Sequence, residues 1–306
     1  MTPNTPTKPD LLPALPFDSW KDTLATLHMW TQVVGKVRMK LCPLVNHYWN
    51  VTFYLTARGM TTSAMPYQRG TAWGTIEVRF DFIAHTLVIE TSEGRAVTLA
   101  LRSESVAEFY KKFMAALADL GVDVKIWTTP CEIPDPIPFE RDQVHATYDP
   151  EAVNKFWRIL VWVDQVLKEF RTGFLGKVSP VHFFWGSFDL CVTRFSGRRA
   201  PERPGADPIT REAYSHEVSS AGFWPGGGDI KGPAFYSYAA PEAPGFAEKK
   251  VRPPAAFYHP QLKEFLLMYD DVRSADSPKA TLMEFLQSTY TAAADTAKWD
   301  RKALER

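Results

Sequence analysis

Between Ser19 and Leu41 the apolar residues Trp20, Leu24, Leu27, Trp30, Val34, Val37 and Leu41 follow one another at intervals of four, three, three, four, three and four. That spacing gathers them on one side of a long amphipathic helix. A second stripe, Phe156, Leu160, Val163, Leu167 and Phe170, begins after the proline-rich connector "TTPCEIPDPIPFERDQVHATYDP". Each stripe is followed by alternating segments and then by another helical pattern. The chain is therefore constrained to an order that starts twice: helix, strands, helix.

In the first half "YWNVTFYLTARG" alternates as strands do, and "TIEVRFDFIAHTLVIETSEGRAVTLALR" reads as three strands turning near Ala84 and at Glu93-Gly94. Ser19 with Asp22, and Ser105 with Glu108, have the spacing of capping boxes, and Gly121 closes the second helix before a strand "VDVKIW". In the second half Asp149-Pro150 opens the helix and Ser277-Pro278 opens the last one. Between them lie "VHFFWGSFDLCVTRFSG", a long irregular segment, "AFYSYAA", "AAFYH" and "EFLLMYDDV". The predicted fold is α+β, as two similar halves, each a helix, an antiparallel sheet of about four strands and a second helix. Residues 1–17 form an extended arm, 18–129 the first half, 130–148 the connector and 149–306 the second half with long loops.

An internal duplication fits this order. Trp49 and Trp185 each precede an arginine, Arg58 and Arg194, by nine positions. Chance similarity between two helix-and-sheet halves is the alternative. On a duplication the interface between halves is the natural cleft, and Asn46 and Phe53 stand opposite His182 and Asp189, so the polar groups belong to the second half. The segments "LPALPFDSWKDTLATLHMWTQVVGKVR", "SPVHFFWGSFDLCVTRFSGR" and "EAYSHEVSSAGFWPGG" resemble a bacterial family catalogued as domain of unknown function 5996. The resemblance covers nearly the whole chain and implies a single unit. It brings no activity, substrate or cofactor.

The three cysteines, Cys42, Cys131 and Cys191, are odd in number and have no CxxC spacing, so neither a disulfide framework nor a zinc knuckle is indicated. A reducing, cytoplasmic setting is expected. The longest apolar run, "ILVWV", is far short of a membrane span, and the amino terminus lacks the pattern of a secretory signal. Thirty-five basic residues balance thirty-five acidic ones, with 14 against 16 in residues 1–150. Nucleic acid is not an expected partner, because backbone binding needs a basic face.

"SHEVSS" starts like the zinc-protease pattern HExxH, but Ser220 stands where the second histidine must be. A looser metal site from His216, His182 and Asp189 competes with ordinary hydrogen-bonded roles, and no metal is assigned. No GxSxG elbow is present, and "PGGGDIK" lacks the phosphate-loop order, so no motif names a cofactor. Cys191 reads as a buried apolar position. His28, Gln32 and Lys36 form a row at intervals of four, read as a solvated face or, alternatively, as a row facing the cleft.

The chemistry-bearing residues concentrate in the second half. His182 and His216 are expected as acid/base groups, Asp189 or Glu217 as the group orienting a histidine, and Arg194 as an anion anchor. His28 and Lys36 are expected to complete the site from the first half, with Trp185, Phe223 and Trp224 as its aromatic surface. A single strand over 181–195 would split His182 and Arg194 from Asp189, but Gly186 makes a bend that resets the parity. A short helix from about Thr210 would end at His216-Glu217, and Gly222 with Gly226–Gly228 would lay Phe223 and Trp224 over the cleft as a lid or wall. A plain surface loop is the other reading. The expected function is an enzyme acting on a small polar or anionic molecule. The alternatives are a non-catalytic module binding a small molecule in an aromatic cleft, and a protein-interaction scaffold.

Overall fold

The computed structural model describes residues 12–306; of the expected amino-terminal arm, residues 1–11 lie outside the described part. The long stripe forms α1 (Phe17–Leu41). Its amino end differs from the capping-box expectation. Pro16 is the cap residue, and Ser19 sits inside the first turn, where its hydroxyl donates to the Pro16 carbonyl at 2.6 Å. Leu27, Trp30, Val33, Val34 and Val37 have no solvent exposure. α1 is a core helix with apolar contacts around most of its circumference.

Six strands follow: β1 (Tyr54–Leu55), β2 (Gly59–Thr61), β3 (Met65–Arg69), β4 (Ala72–Asp81), β5 (Thr86–Thr91) and β6 (Ala96–Ala100). They form an antiparallel sheet in the order β1-β2-β4-β5-β6, with β3 in tandem with β2 along the long β4. The expected turns at 82–85 and 92–95 join β4, β5 and β6. α2 (Val106–Asp119) starts at Ser105, whose hydroxyl accepts from the Glu108 amide, and Gly121 leaves it at φ +84°. The expected strand "VDVKIW" is absent: 122–127 runs on without pairing into the connector.

α3 (Pro150–Thr172) begins as read, with the Asp149 carboxylate accepting from the amides of Glu151 and Ala152. The remaining elements are β7 (His182–Phe184), β8 (Asp189–Arg199), α4 (Pro208–Ala213), β9 (His216–Trp224), β10 (Ala234–Ala240), β11 (Phe257–His259), β12 (Glu264–Met268), α5 (Tyr269–Arg273), α6 (Pro278–Thr296) and α7 (Arg301–Leu304). The second sheet is antiparallel in the order β11-β12-β10-β9-β8-β7. Each sheet thus has six strands where about four were expected, because two- and three-residue strands carry too little alternation to be read.

Two readings of the second half change. The stretch "HEVSSAGFW" is neither helix end nor loop but β9, a central strand paired on both sides. Residues 181–195 are a hairpin, with β7 and β8 joined by the turn at 185–188, so Gly186 does break the strand.

The sheets meet at their edges, where Phe53 and Phe183 exchange both backbone hydrogen bonds at 2.9 and 3.0 Å. One apolar cluster runs through α1, α2, α3, α6 and the inner faces of both sheets. The residues that suggested a duplication lie in unlike surroundings. Arg58 is exposed between β1 and β2 and paired with Asp81 at 2.5 Å, whereas Arg194 is buried in mid-strand. Trp49 lies in the 3-10 segment 46–51 and Trp185 in a hairpin turn.

Candidate functional site

The face of the second sheet turned away from α3 and α6 carries a cavity of about 590 Å3, with α4 along its side. Strand alternation chooses its floor. Asp189, Cys191, Thr193 and Phe195 point there from β8, Val218 and Ser220 from β9, and Tyr236 and Tyr238 from β10. The intervening Leu190, Val192, Phe223 and Phe235 point into the core. Tyr48 and Trp49 from the 3-10 segment, Phe184 and Trp185 from the β7–β8 hairpin, and Tyr214 after α4 supply aromatic walls, with Cys131 and Glu132 of the connector at one side.

A second lobe, also about 590 Å3, shares Glu132, Ser187, Asp189, Tyr214, Tyr236 and Tyr238 with the first. It continues past His28, Trp224 and Glu264. The junction is where the two lobes share Asp189. Its two carboxyl oxygens accept from the Ser187 and Tyr236 hydroxyls. Burial holds the Asp189 carboxyl above the usual carboxylate range, against the pull of those two bonds. Glu264 is raised to about 7, by burial first and then by the charge of Asp189. Glu132, in the left-handed backbone region at φ 56°, is also raised, by desolvation and then by Asp189 and Asp207. Elsewhere on the floor, the hydroxyls of Thr193 and Ser220 pair at 2.9 Å, and those of Tyr214 and Tyr238 at 3.0 Å. The Cys191 thiol is pushed well above its ordinary range by burial and by Asp189, so it is a neutral floor group.

The residues expected from sequence divide sharply. Asp189 and Trp185 line the first lobe; His28 and Trp224 line the second. His182 has no exposure. It is closed in by Trp49 and Phe184 at ring distances of 5.6 and 5.7 Å and reached by the Tyr54 hydroxyl at 3.3 Å. Burial, then Arg171 and Arg38, lower its pKa to about 3, so it is a neutral packing group. His216 lies beyond the cavity, 5.5 Å from the His47 ring, and Ser215 shares a 3.0 Å bond with its Nδ1. Glu217 is turned to Ser196 and Arg198, at 2.9 and 2.7 Å. Glu217 thus orients no histidine.

Arg194 does not reach the cleft. Its guanidinium lies on the helix side, 3.5 Å from the Phe170 ring centroid and 4.3 Å from that of Tyr290, and donates to the Phe170 carbonyl. Burial alone accounts for its lowered pKa of about 10, since Tyr290 and Glu305 act the other way. Phe223 is fully buried against Phe235 and Tyr269 at 5.3 and 5.9 Å, so it is core and not lid.

The row on α1 is neither solvated nor, for the most part, part of the cleft. The Gln32 side chain donates to the Cys131 carbonyl at 2.8 Å and accepts from the Cys131 amide at 2.9 Å. Lys36 Nζ donates to the Thr129 carbonyl at 2.8 Å, and burial lowers its pKa. His28 Nε2 donates to the Gly186 carbonyl at 2.8 Å. A carbonyl can only accept, which assigns that proton to Nε2. Burial lowers the His28 pKa to about 4. The row fastens the connector and the β7–β8 turn to α1.

Sequence reasoning passed over Glu132, Tyr214, Tyr236, Tyr238 and Glu264. Tyr236 and Tyr238 had a readable signal: alternate tyrosines in "AFYSYAA" must share one face of a strand. Glu132 had none, since only the path of the connector brings it there. Among the described residues no group of three or more His, Cys, Asp or Glu side chains is placed to hold a metal ion, and no helix is long and apolar enough to cross a membrane. No curated protein and no solved structure matches this chain. A model described as a family of unknown function, DUF5996, matches residues 12–306, nearly the whole chain, and the chain belongs to that family.

Proposed function

We propose that this protein binds a small organic molecule in the cleft on the outer face of the second sheet. The observation that carries the reading is the cavity of about 590 Å3, with aromatic walls and a floor that gathers hydroxyls around one buried carboxyl. Cavities of roughly 300–1,000 Å3 that are mostly apolar with a few convergent polar groups are the usual form of small-molecule sites. A ligand with a flat or apolar body and one polar end fits such a lining.

A catalytic role is the second reading, favoured by Glu264, whose pKa of about 7 lies where a general acid or base works best. Asp189 and Glu264, rather than the two histidines, are the acid/base candidates on that reading. Three free thiols support a reducing, cytoplasmic setting, and the balanced charge supports a ligand other than nucleic acid.

Native mass spectrometry of the full chain purified from cells tests the cleft, in parallel with Thr193→Trp, which fills the first lobe from its floor. A retained small molecule is expected on the original chain and not on the variant. Equal retention by both proteins would remove the cleft from consideration.

A further inference from the structure

We infer that the ligand is an organic cation, an ammonium group on an aromatic or apolar body, with its charge seated at the junction of the two lobes against Asp189 and Glu132. This rests on the cleft-binding reading above and names the ligand class it leaves open.

The lining is one-sided in charge. Glu132, Asp189 and Asp207 border the first lobe and Glu264 the second, and neither lobe is bordered by a lysine or arginine. Asp207 is already engaged as the cap of α4, accepting from the amides of Ile209 and Thr210 at 2.8 and 3.1 Å. The other three have no ion-pair partner among the described residues. Asp189 is 7% exposed, and all the groups that donate to it, the Ser187 and Tyr236 hydroxyls, the Cys191 thiol and its own amide, are neutral, so none balances a negative charge there. Burial without a cation holds this carboxyl toward its neutral acid, and a cation arriving with the ligand would favour the ionised form and pair with it.

The walls add a second, independent indication. Ring faces attract cations through their quadrupole, and aromatic cages are the usual way proteins recognise quaternary ammonium ligands. The protein already uses this attraction nearby: Lys177 Nζ lies 5.2 Å from the Trp49 ring centroid and 4.9 Å from that of Phe195, and the Arg203 guanidinium 4.3 Å from that of Tyr214. Lys177 opposes a further positive charge at the outer wall, where Trp49 and Phe195 carry it, and Arg203 does so on the Tyr214 side, which both lobes share. The junction, bordered by Glu132, Asp189 and Tyr236, is where the ammonium is favoured. The body then lies toward Phe184 and Tyr238 in the first lobe. An anionic ligand would meet the same three carboxyls with no lysine or arginine on the lining to hold it.

The test uses three probes on one skeleton: tryptamine (ammonium), tryptophol (neutral) and indole-3-acetate (anion), titrated calorimetrically into the full chain. Tryptamine is expected to bind at least about tenfold more tightly than tryptophol, and indole-3-acetate more weakly than either, as expected of a desolvated charge pair. Asp189→Asn should abolish the preference for tryptamine over tryptophol. Glu132→Gln, a change at the cavity mouth, should reduce the preference about threefold and keeps the test open if Asp189→Asn fails to fold. Tryptophol or indole-3-acetate binding as tightly as tryptamine would overturn the cation inference, as would the absence of binding by all three. If binding persists in Thr193→Trp, the cleft reading itself fails. If Thr193→Trp abolishes a binding that shows no preference for the ammonium, only the charge assignment falls.

Discussion

Gly222 stands on β9 between Cys191 of β8 and Tyr236 of β10, its partner on either side. The Tyr236 phenol crosses over it to reach Asp189, and a Cβ at 222 would lie 2.6 Å from the Tyr236 hydroxyl oxygen and closer still to the Leu190 carbonyl oxygen. Glycine is required there by close approach, not by a turn. Gly222→Ala should push the phenol off the carboxyl and cost about 1–3 kcal/mol in urea unfolding. Tyr236→Phe should cost a similar amount. The double variant should cost less than the sum by about the one bond that both changes remove, while the clash with the Leu190 carbonyl stays in either background. Full additivity would show that the two residues act independently. His182 gives a pH signature. Its folded pKa of about 3 lies below the usual 6.5, so its contribution is complete above pH 6.5 and is lost as pH falls from there toward 3. His182→Phe should therefore lose about 2 kcal/mol less stability than the original chain between pH 8 and pH 4.5, read from denaturation midpoints at each pH. Equal losses would mean that His182 is protonated in the folded state.

At the scale of elements, α1 organises the molecule through its two unlike sides. Trp185 lies directly on Gly35, where a Cβ would collide with the indole ring, and its Nε1 donates to the Val51 carbonyl at 2.7 Å. Helix glycine usually costs stability relative to alanine. Here Gly35→Ala should instead destabilise by about 1–3 kcal/mol through overpacking, and Trp185→Ala in the same chain should relieve part of that cost. Thermal unfolding of the two singles and the double decides it. A stabilising Gly35→Ala would mean that the indole moves aside freely. The polar row makes α1 a scaffold for the connector as well. Gln32→Leu would leave the Cys131 amide and carbonyl without their partner, which is expected to raise hydrogen exchange at Cys131 while leaving α2 protected. Unchanged exchange at Cys131 would mean that the connector holds its path without Gln32.

For the whole molecule, the reading of two similar halves captured the order of elements better than their dependence on one another. α1 belongs to the first half by sequence, yet it packs against α3, and a single apolar cluster spans both sheets. Residues 1–129 expressed alone would expose the α1 surface that α3 and Trp185 cover, together with the Phe53 edge. That fragment should lack a cooperative unfolding transition, and the full chain should show coincident near- and far-ultraviolet circular dichroism transitions. A folded fragment with its own sharp transition would sink this view. The cleft depends on the same union. Its floor is second-half sheet, but Tyr48, Trp49 and Glu132 arrive from the first half and the connector.

Helices were legible because a 3.6-residue repeat and an N-cap are local properties, as in Ser105 with Glu108 or Asp149 with Pro150. The β4–β5–β6 meander was legible because alternation and turn residues are local too. The sequence alone also determined that the aromatic and acidic side chains exist in sufficient number to line a cleft. Which of them meet there was decided by tertiary structure. Strand parity sent Asp189 outward and Arg194 inward, pairing on both sides made "HEVSSAGFW" a central strand, and a row on α1 set the path of the connector. The physical reason is that parity depends on bulges and turns whose positions are set by non-local pairing, and burial depends on what covers a residue. A histidine such as His182 reads as chemistry in the sequence and becomes a neutral packing group once Trp49 and Tyr54 close over it.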